Sequence, residues 1–251
     1  MAEKRYKLIF FKAYSYLKRV LTSYLWCFAL SFLLLSITGV IPPYKRSFVC
    51  NDEKIDKPFR GDTVTPLLFT LNTLLLPSLV IFLTDRSTLK NGVRGWRTDV
   101  RRYLRGLLYV LTVTELLKIS VGELRPHFLH SCLPDVKCVA GIVSSYNCTD
   151  TRSSWLRKLD VYKSFPSGHA SLSSYMFLYI YFYSEERIRK GSVRLFIRIM
   201  FLVWSFVCCI TRITDDRHFW WDVLFGAILG IVQGFVMITY NRTQEESLQK
   251  L

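Results

Sequence analysis

The stretch Thr211–Tyr240 reads TRITDDRHFWWDVLFGAILGIVQGFVMITY and joins a polar segment directly to a long apolar run. The apolar part, Trp220–Tyr240, is long enough to cross a bilayer as a helix, which takes roughly 20 residues. The polar part, Thr211–Asp222, places cations, carboxylates and a histidine at the edge of that run, where such side chains are energetically costly. A membrane helix that begins in reactive polar residues is therefore the unit from which we interpret the rest of the chain.

Six such runs occur along the 251 residues and predict six transmembrane helices. They are Tyr24–Ile41, Thr65–Thr84, Leu104–Val121, Ala170–Ser184, Leu195–Cys209 and Trp220–Tyr240. The fourth and fifth are short and are expected to extend into their flanks. With 51% hydrophobic residues and a mean hydropathy of +0.23, the predicted fold class is an all-α polytopic membrane protein. A single membrane-embedded domain is expected over residues 1–251, with a core at about 21–240 and short tails at 1–20 and 241–251.

The distribution of charge predicts the orientation of these helices. The net charge is +15, and the excess of Lys and Arg lies in the N-terminal segment, in the loop Asp85–Tyr103 and in the loop after the fourth run. Because cytoplasmic loops are enriched in Lys and Arg, both termini are expected in the cytoplasm. Cations placed in loops between apolar runs favour this explanation over nucleic acid, which is not expected as a partner.

The opposite loops carry features of an extracellular or lumenal compartment. Asn147-Cys148-Thr149 is a sequon, so Asn147 is the expected glycosylation site, whereas the sequon at Asn241 is expected in the cytoplasm and unmodified. Four cysteines also lie in outer loops, where disulfides persist: Cys50, Cys132, Cys138 and Cys148. They allow three pairings, and the sequence does not choose among them.

Three polar segments are predicted to meet at the outer face. Lys118–Pro126 (KISVGELRP) ends the third run on that side, Pro166–His169 (PSGH) begins the fourth, and Thr211–Asp222 joins the fifth to the sixth. A single charged residue near a membrane edge has simple explanations, such as a lysine that snorkels or an acid that interacts with a helix dipole. Three polar segments at one face and depth are much harder to explain by packing, so they predict a functional site.

The residue types in these segments suit phosphoryl transfer through a histidine. Because His218 and Asp222 are four residues apart at a helix start, the carboxylate can orient the imidazole as a nucleophile. His218 itself is expected in an exposed outer turn. His169 follows Ser167 and Gly168 at a second helix start, whose free N–H groups favour phosphate, and it is placed to act as acid and base.

Three cations complete the predicted site, namely Lys118, Arg125 and Arg212. They are expected to neutralise the phosphoryl oxygens, which is most of what phosphoryl transfer requires. Metal sites for this chemistry need clustered carboxylates, so neither a metal nor another cofactor is expected.

The segments Lys118–Pro126, Pro166–His169 and Thr211–Asp222 resemble the signature K-x6-RP, PSGH and SR-x5-H-x3-D of the type-2 phosphatidic acid phosphatase superfamily. The stretches RPHFL and PPYKRSFVCNDEKI are also similar to the eukaryotic integral-membrane lipid phosphate phosphatases. The likeness covers about Leu21–Tyr240, and Thr211 stands where the family usually has serine.

The resemblance implies a metal-independent hydrolase with an outward or lumenal active site and a phosphohistidine intermediate. Its implied substrates are lipid phosphates: phosphatidate, lysophosphatidate, sphingosine 1-phosphate or ceramide 1-phosphate. It implies that His218 is the nucleophile, Asp222 its orienting partner and His169 the acid and base. The phosphate-binding residues that it implies are Lys118, Arg125, Ser167, Gly168 and Arg212.

Three other functions stay open. A phosphotransferase of the sphingomyelin-synthase kind uses a similar His-His-Asp set but passes the group to a lipid alcohol. A sugar-phosphate phosphatase of the endoplasmic reticulum shares the signature but usually has more spans. A transporter or signalling scaffold would explain buried charges in a six-span protein, but not the pairing of His218 with Asp222. The preferred lipid phosphate and homo-oligomer formation also stay open. The plasma membrane is the expected location, with the endoplasmic reticulum or Golgi as the alternative.

Overall fold

The computed structural model describes residues 24–88, 95–136, 138, 141–151 and 154–249. Within these residues the chain is mostly helical, with eight helices and one two-stranded sheet. It divides into two compact units, residues 1–41 and 42–251. In the first unit, the described residues form helix α1, Tyr24–Ile37, and a short turn after it.

The second unit holds the other elements. Its five long helices are α2 (Pro66–Thr88), α3 (Trp96–Val121), α6 (Gly168–Arg187), α7 (Gly191–Thr214) and α8 (Trp220–Gln249). Its two short helices are α4 (Phe128–Cys132) and α5 (Trp155–Asp160). The strands β1 (Phe48–Val49) and β2 (Ile142–Val143) pair antiparallel, with Phe48 opposite Val143.

Three of these helices are long and apolar enough to cross a membrane. They are α2 over Pro66–Asp85, α7 over Gly191–Thr214 and α8 over Trp220–Thr243. Helices α1, α3 and α6 lie at the other three predicted runs, but the described part of α1 is short, and α3 and α6 carry more polar residues. The mostly helical fold and its membrane character are confirmed.

A stripe of glycines brings α8 against α6. Gly226, Gly230 and Gly234 recur every four residues and therefore lie on one face of α8. A Cβ atom added at Gly226 would lie 2.6 Å from the carbonyl oxygen of Ser167, so the two backbones are almost in contact. Small residues permit such an approach between membrane helices. The contact places the start of α8 beside the start of α6.

Three tyrosines of α6 hold it to α2 and α3. The hydroxyl groups of Tyr175, Tyr179 and Tyr183 donate to the backbone carbonyls of Tyr103, Asp99 and Ile81 at 2.9, 2.9 and 3.2 Å. All three tyrosines are buried, so each hydroxyl group satisfies its polar demand inside the helix bundle. This aromatic face therefore packs against protein.

Two disulfides join the loops near the start of α6. Of the three possible pairings, the structure has Cys50–Cys138 and Cys132–Cys148. Phe48, Phe128, Tyr146 and Tyr162 form a buried cluster beside them, with T-shaped contacts between Phe48 and both Phe128 and Tyr146. The segment 42–65 and the segment 122–165 thus share one small core.

Gly226→Ala tests the close helix contact. The new methyl group would also lie 3.3 Å from the Cβ of Ala170, so the helices must separate, and we expect a loss of about 1–3 kcal/mol. Thermal unfolding of the purified protein in detergent measures it. The control is Gly191→Ala, because no atom lies within 4 Å of its added Cβ. Equal stability of the two variants would show that α8 and α6 are not in close contact at Gly226.

Candidate active site

The structure brings the three predicted polar segments together at one end of α3, α6, α7 and α8. The backbone N–H of Ser167 donates to the carbonyl of Asp222 at 3.0 Å. The Nζ of Lys118 lies 3.2 Å from where a Cβ at Gly168 would be. The side chain of Arg125 donates to the carbonyl of Arg217 at 3.3 Å. Each segment therefore touches another, as the shared face predicted.

His218 lies in the turn between α7 and α8, but the expectation that it is exposed is wrong. Only 4% of the residue is accessible, because side chains from distant segments cover the turn. Its Nδ1 atom is 3.6 Å from Oδ2 of Asp222, which is too long for a hydrogen bond. The predicted pair is therefore adjacent but not hydrogen-bonded in this structure.

Ser164 and the backbone of Phe219 hold the carboxylate of Asp222. The Oγ of Ser164 donates to Oδ2 of Asp222 at 2.6 Å, and the backbone N–H of Phe219 donates to the same oxygen at 3.0 Å. Asp222 is fully buried, so these two donors fix the carboxylate beside the imidazole. Sequence reasoning missed Ser164. The only signal was a serine placed two residues before the PSGH segment.

The environment of His218 keeps its imidazole neutral. Burial, and then the positive charges of Arg125 and Lys118, hold the pKa of His218 well below its ordinary value. A neutral imidazole has the free lone pair that a nucleophile requires. The cations that would bind an anion thus also keep the neighbouring ring unprotonated.

His169 and Ser167 lie at the start of α6. Ser167 is the N-cap residue and is fully buried, but its hydroxyl group makes no cap hydrogen bond. The ring of His169 packs on Phe69 of α2, with 4.1 Å between centroids. The backbone N–H groups in the first turn of a helix favour an anion. This helix end therefore offers donors, a hydroxyl group and an imidazole to one small volume.

Lys118 is held by a carboxylate that sequence reasoning did not include. Its Nζ donates to Oε1 of Glu115 at 3.1 Å, and Lys163 donates to Oε2 of the same residue at 3.3 Å. Glu115 and Lys163 are both buried. Spacing could have indicated Glu115, which precedes Lys118 by one helical turn, but Lys163 is a long-range neighbour.

Arg125 pairs with Asp160, which also contacts Arg217. The Nη2 atom of Arg125 donates to Oδ1 of Asp160 at 2.6 Å, while Nη2 of Arg217 donates to Oδ2 at 3.0 Å. Burial raises the pKa of Asp160, but the two arginines lower it more, to about 2. Burial lowers the pKa of Arg125 to about 10, so its guanidinium stays charged at neutral pH.

Arg212 is almost fully buried and is paired with two carboxylates. It donates to Oδ1 of Asp62 at 2.6 Å, to Oδ2 of Asp215 at 3.1 Å and to the carbonyl of Val64 at 3.1 Å. Thr63 donates to Asp215 through both its backbone N–H and its hydroxyl group, at 2.8 and 2.7 Å. The loop before α2 is therefore part of the site.

Polar atoms without partners concentrate here. In the part of the chain that the structure describes, eight buried side-chain nitrogen or oxygen atoms have no hydrogen-bond partner. Six belong to the site: Ser167 Oγ, His169 Nε2, Arg212 Nε, Arg217 Nε, His218 Nδ1 and Asp222 Oδ1. Unsatisfied buried polar groups are costly and need an explanation. A polar ligand that these donors and acceptors would bind is such an explanation.

Among the described residues, no group of three or more His, Cys, Asp or Glu side chains is arranged to hold a metal ion. The polar donors of the site are instead guanidinium, ammonium, imidazole and hydroxyl groups. That donor set matches an oxyanion such as a phosphate.

The fold defines an integral membrane protein, and histidines and arginines line its candidate anion site. The family model of the PAP2 superfamily matches residues 99–246, and the chain belongs to that superfamily. The resemblance seen in the sequence is thereby confirmed.

Curated relatives agree with this assignment. The chain is 31% identical to phospholipid phosphatase 2 of Rattus norvegicus, over 84% of this chain and 81% of that protein. It is 28% identical to phospholipid phosphatase 1 of the same organism, over 81% and 78%. A relative from Drosophila melanogaster is 26% identical over 85% of this chain, and the match covers 65% of that protein. No solved structure shows a significant match.

Ser164→Ala tests how Asp222 is held. The substitution removes the 2.6 Å hydrogen bond, and such bonds to charged groups are worth about 1.5–3 kcal/mol. We therefore expect kcat for phosphate release from a lipid phosphate to fall at least about tenfold, with little change in KM. Ser120→Ala is the control, because Ser120 is exposed and bonds only within α3. Equal kcat in both variants would show that Ser164 is not needed to hold the Asp222 carboxylate.

Proposed function

We propose that this protein is a lipid phosphate phosphohydrolase that acts through a phosphohistidine intermediate, without a metal. Six unpartnered polar atoms around two histidines carry this proposal. Membership of the PAP2 superfamily, and relatives named phospholipid phosphatases, support it. The proposed substrates are phosphatidate, lysophosphatidate, sphingosine 1-phosphate and ceramide 1-phosphate.

In the first step, His218 attacks the phosphorus atom. Its Nδ1 faces Asp222, so the attack uses Nε2, while Lys118, Arg125 and Arg212 offset the charge on the non-bridging oxygens. A P–N bond forms as the P–O bond to the lipid alcohol breaks. The negative charge of the bound substrate phosphate favours the imidazolium form of His169, which gives its proton to the leaving alkoxide. The lipid alcohol departs and the phosphoryl group stays on His218.

In the second step, water replaces the lipid. His169, now neutral, accepts a proton from water, whose oxygen attacks phosphorus, and the P–N bond breaks. Inorganic phosphate and free His218 result, and His169 is protonated again for the next cycle. Asp222 stabilises His218 in its positively charged, phosphorylated form, which requires the 3.6 Å separation to shorten when the substrate binds.

The proposed topology places this site on the extracellular or lumenal side, with six spanning helices and both termini in the cytoplasm. Three features support this orientation. The disulfides lie in segments whose residues also form the site, and Asn147 is exposed between Cys132 and Cys148. The basic residues Arg97, Arg101 and Arg102 begin α3, at the opposite end of that helix from Lys118. Plasma membrane is the proposed location, with the endoplasmic reticulum or Golgi as the alternative.

His218→Ala tests the proposed function. Without the nucleophile, phosphate release from a dispersed lipid phosphate in excess EDTA should fall by several orders of magnitude. The matched control is His130→Ala, because His130 is a histidine of the outer segments whose side chain is 53% exposed. Substantial phosphate release by the His218 variant would overturn the phosphohistidine mechanism.

A lipid alcohol added to the same assay separates the hydrolase from a phosphotransferase. A hydrolase should release inorganic phosphate at an unchanged rate. Transfer of the phosphoryl group to the added alcohol as the main product would favour the transferase, which uses the same histidines.

Glycosylation tests the proposed topology. Asn147 should carry an N-glycan and Asn241 should not, because the two residues lie on opposite sides of the membrane in this proposal. Glycosidase treatment should shift the gel mobility of the wild type and of Asn241→Gln, but not of Asn147→Gln. A glycan on Asn241 would invert the orientation and place the active site in the cytoplasm.

A further inference from the structure

We propose that Arg217 is a positioning residue that sets the spacing of Arg125 and Arg212, the two arginines assigned to phosphate. It lies at the centre of an alternating arginine–aspartate chain, outside the motif positions. The inference rests on the proposed function, because it concerns the geometry of that same phosphate site.

Two shared aspartates form the chain. Asp160 accepts from Arg125 at 2.6 Å through one oxygen and from Arg217 at 3.0 Å through the other. Oδ1 of Asp62 accepts from Arg212 at 2.6 Å and lies 3.2 Å from Nε of Arg217, within ion-pair distance but without hydrogen-bond alignment. The order is therefore Arg125, Asp160, Arg217, Asp62 and Arg212. Arg217 is the only cation in it that contacts both shared carboxylates.

A neutral histidine fixes the remaining nitrogen of Arg217. Its Nη1 lies 3.1 Å from Nε2 of His127, whose Nδ1 is 2.8 Å from the hydroxyl group of Ser131. Burial, and then Arg125 and Arg217, lower the pKa of His127 to about 3, so its ring is neutral and Nε2 accepts the hydrogen bond. The guanidinium also lies over the ring of Phe59, at 5.2 Å from its centroid. Each nitrogen of the Arg217 guanidinium group therefore lies beside a polar neighbour, namely His127, Asp160 or Asp62.

The alternation has an electrostatic reason. Three guanidinium groups, two of them buried and that of Arg217 11% exposed, repel one another, and the repulsion is strong in a medium of low dielectric. A carboxylate that lies between two neighbouring arginines attracts both of them and offsets their repulsion. If the side chain of Arg217 is removed, Asp62 and Asp160 each keep one arginine, but no ion pair connects the two halves. Each aspartate is then free to move toward its own arginine, and the distance between Arg125 and Arg212 is no longer fixed.

The position of Arg217 couples this geometry to the nucleophile. It directly precedes His218, and its carbonyl oxygen accepts from Arg125 at 3.3 Å. The backbone N–H groups of Arg217 and His218 both donate to the carbonyl of Arg212, at 3.1 and 3.0 Å. A shift of Arg217 therefore moves the imidazole and both phosphate-binding arginines relative to one another.

Arg217→Gln and Arg217→Lys test the inference. Because a misplacement of about 1 Å can cost on the order of 100-fold, kcat/KM for Arg217→Gln should fall by about that factor. The inhibition constant for orthovanadate should rise at least about tenfold with it, because vanadate needs the same two arginines in place. Lysine keeps the charge but lacks the planar fork that contacts two carboxylates. Arg217→Lys should therefore fold normally but bind vanadate more weakly than the wild type does.

Arg157→Gln is the matched control. Arg157 also lies near the ring of Phe59, at 5.8 Å, but it is exposed and makes no ion pair with any carboxylate among the described residues. Its loss should leave kcat/KM and vanadate inhibition unchanged. A general loss of stability at this face would instead affect thermal unfolding without moving the vanadate constant.

The outcomes separate the two proposals. Wild-type protein that releases no phosphate from any lipid phosphate would overturn the proposed function. Active wild-type protein with an unchanged vanadate constant in Arg217→Lys would overturn the positioning role, even if Arg217→Gln does not fold. Weak vanadate binding by Arg217→Lys together with normal thermal unfolding would support it.

Discussion

Compensation of buried positive charge is the constraint on which this site depends. Arg125 and Arg212 are each less than 5% exposed, and a buried guanidinium without a carboxylate partner is strongly destabilising. The chain meets that demand with acids from distant segments, since Asp62 precedes α2 and Asp160 ends α5. These ion pairs tie the outer loops to the helix ends. The charge that the proposed phosphate binding requires thus also shapes the fold around the site.

Contacts between the helices also determine the geometry of the site. Asp222 and His218 come near Ser167 only because α8 can approach α6 along its glycine face. The hydroxyl groups of the buried tyrosines then fix α6 against α3, which presents Lys118 at its end. A change in either contact would separate the polar segments, although neither contact includes a reactive atom. Packing within the bundle is therefore a condition for the chemistry at its end.

The sequence predicted the parts of this structure that local pattern determines. Apolar runs located the long helices, and the spacing within the three polar segments placed Lys118, His169 and His218 at one end. The partners of those residues were not predictable, because Asp62 and Arg212 are 150 positions apart and their contact exists only in the folded chain. The burial of His218 was mispredicted for the same reason. A polar turn is locally typical of an exposed segment, and only tertiary neighbours cover it.

The carboxylates also have a consequence for turnover. Arginines and lysines without counter-ions would bind inorganic phosphate tightly and retain the product. Here Asp62, Asp160 and Glu115 offset much of that charge. Some donor atoms, such as Arg212 Nε, still have no hydrogen-bond partner among the described residues. Directional donors favour the geometry and charge of the transition state over those of a free phosphate ion, and only such differential binding accelerates a reaction. In the proposed mechanism, the paired acids therefore weaken the binding of inorganic phosphate, and the directional donors act on the transition state.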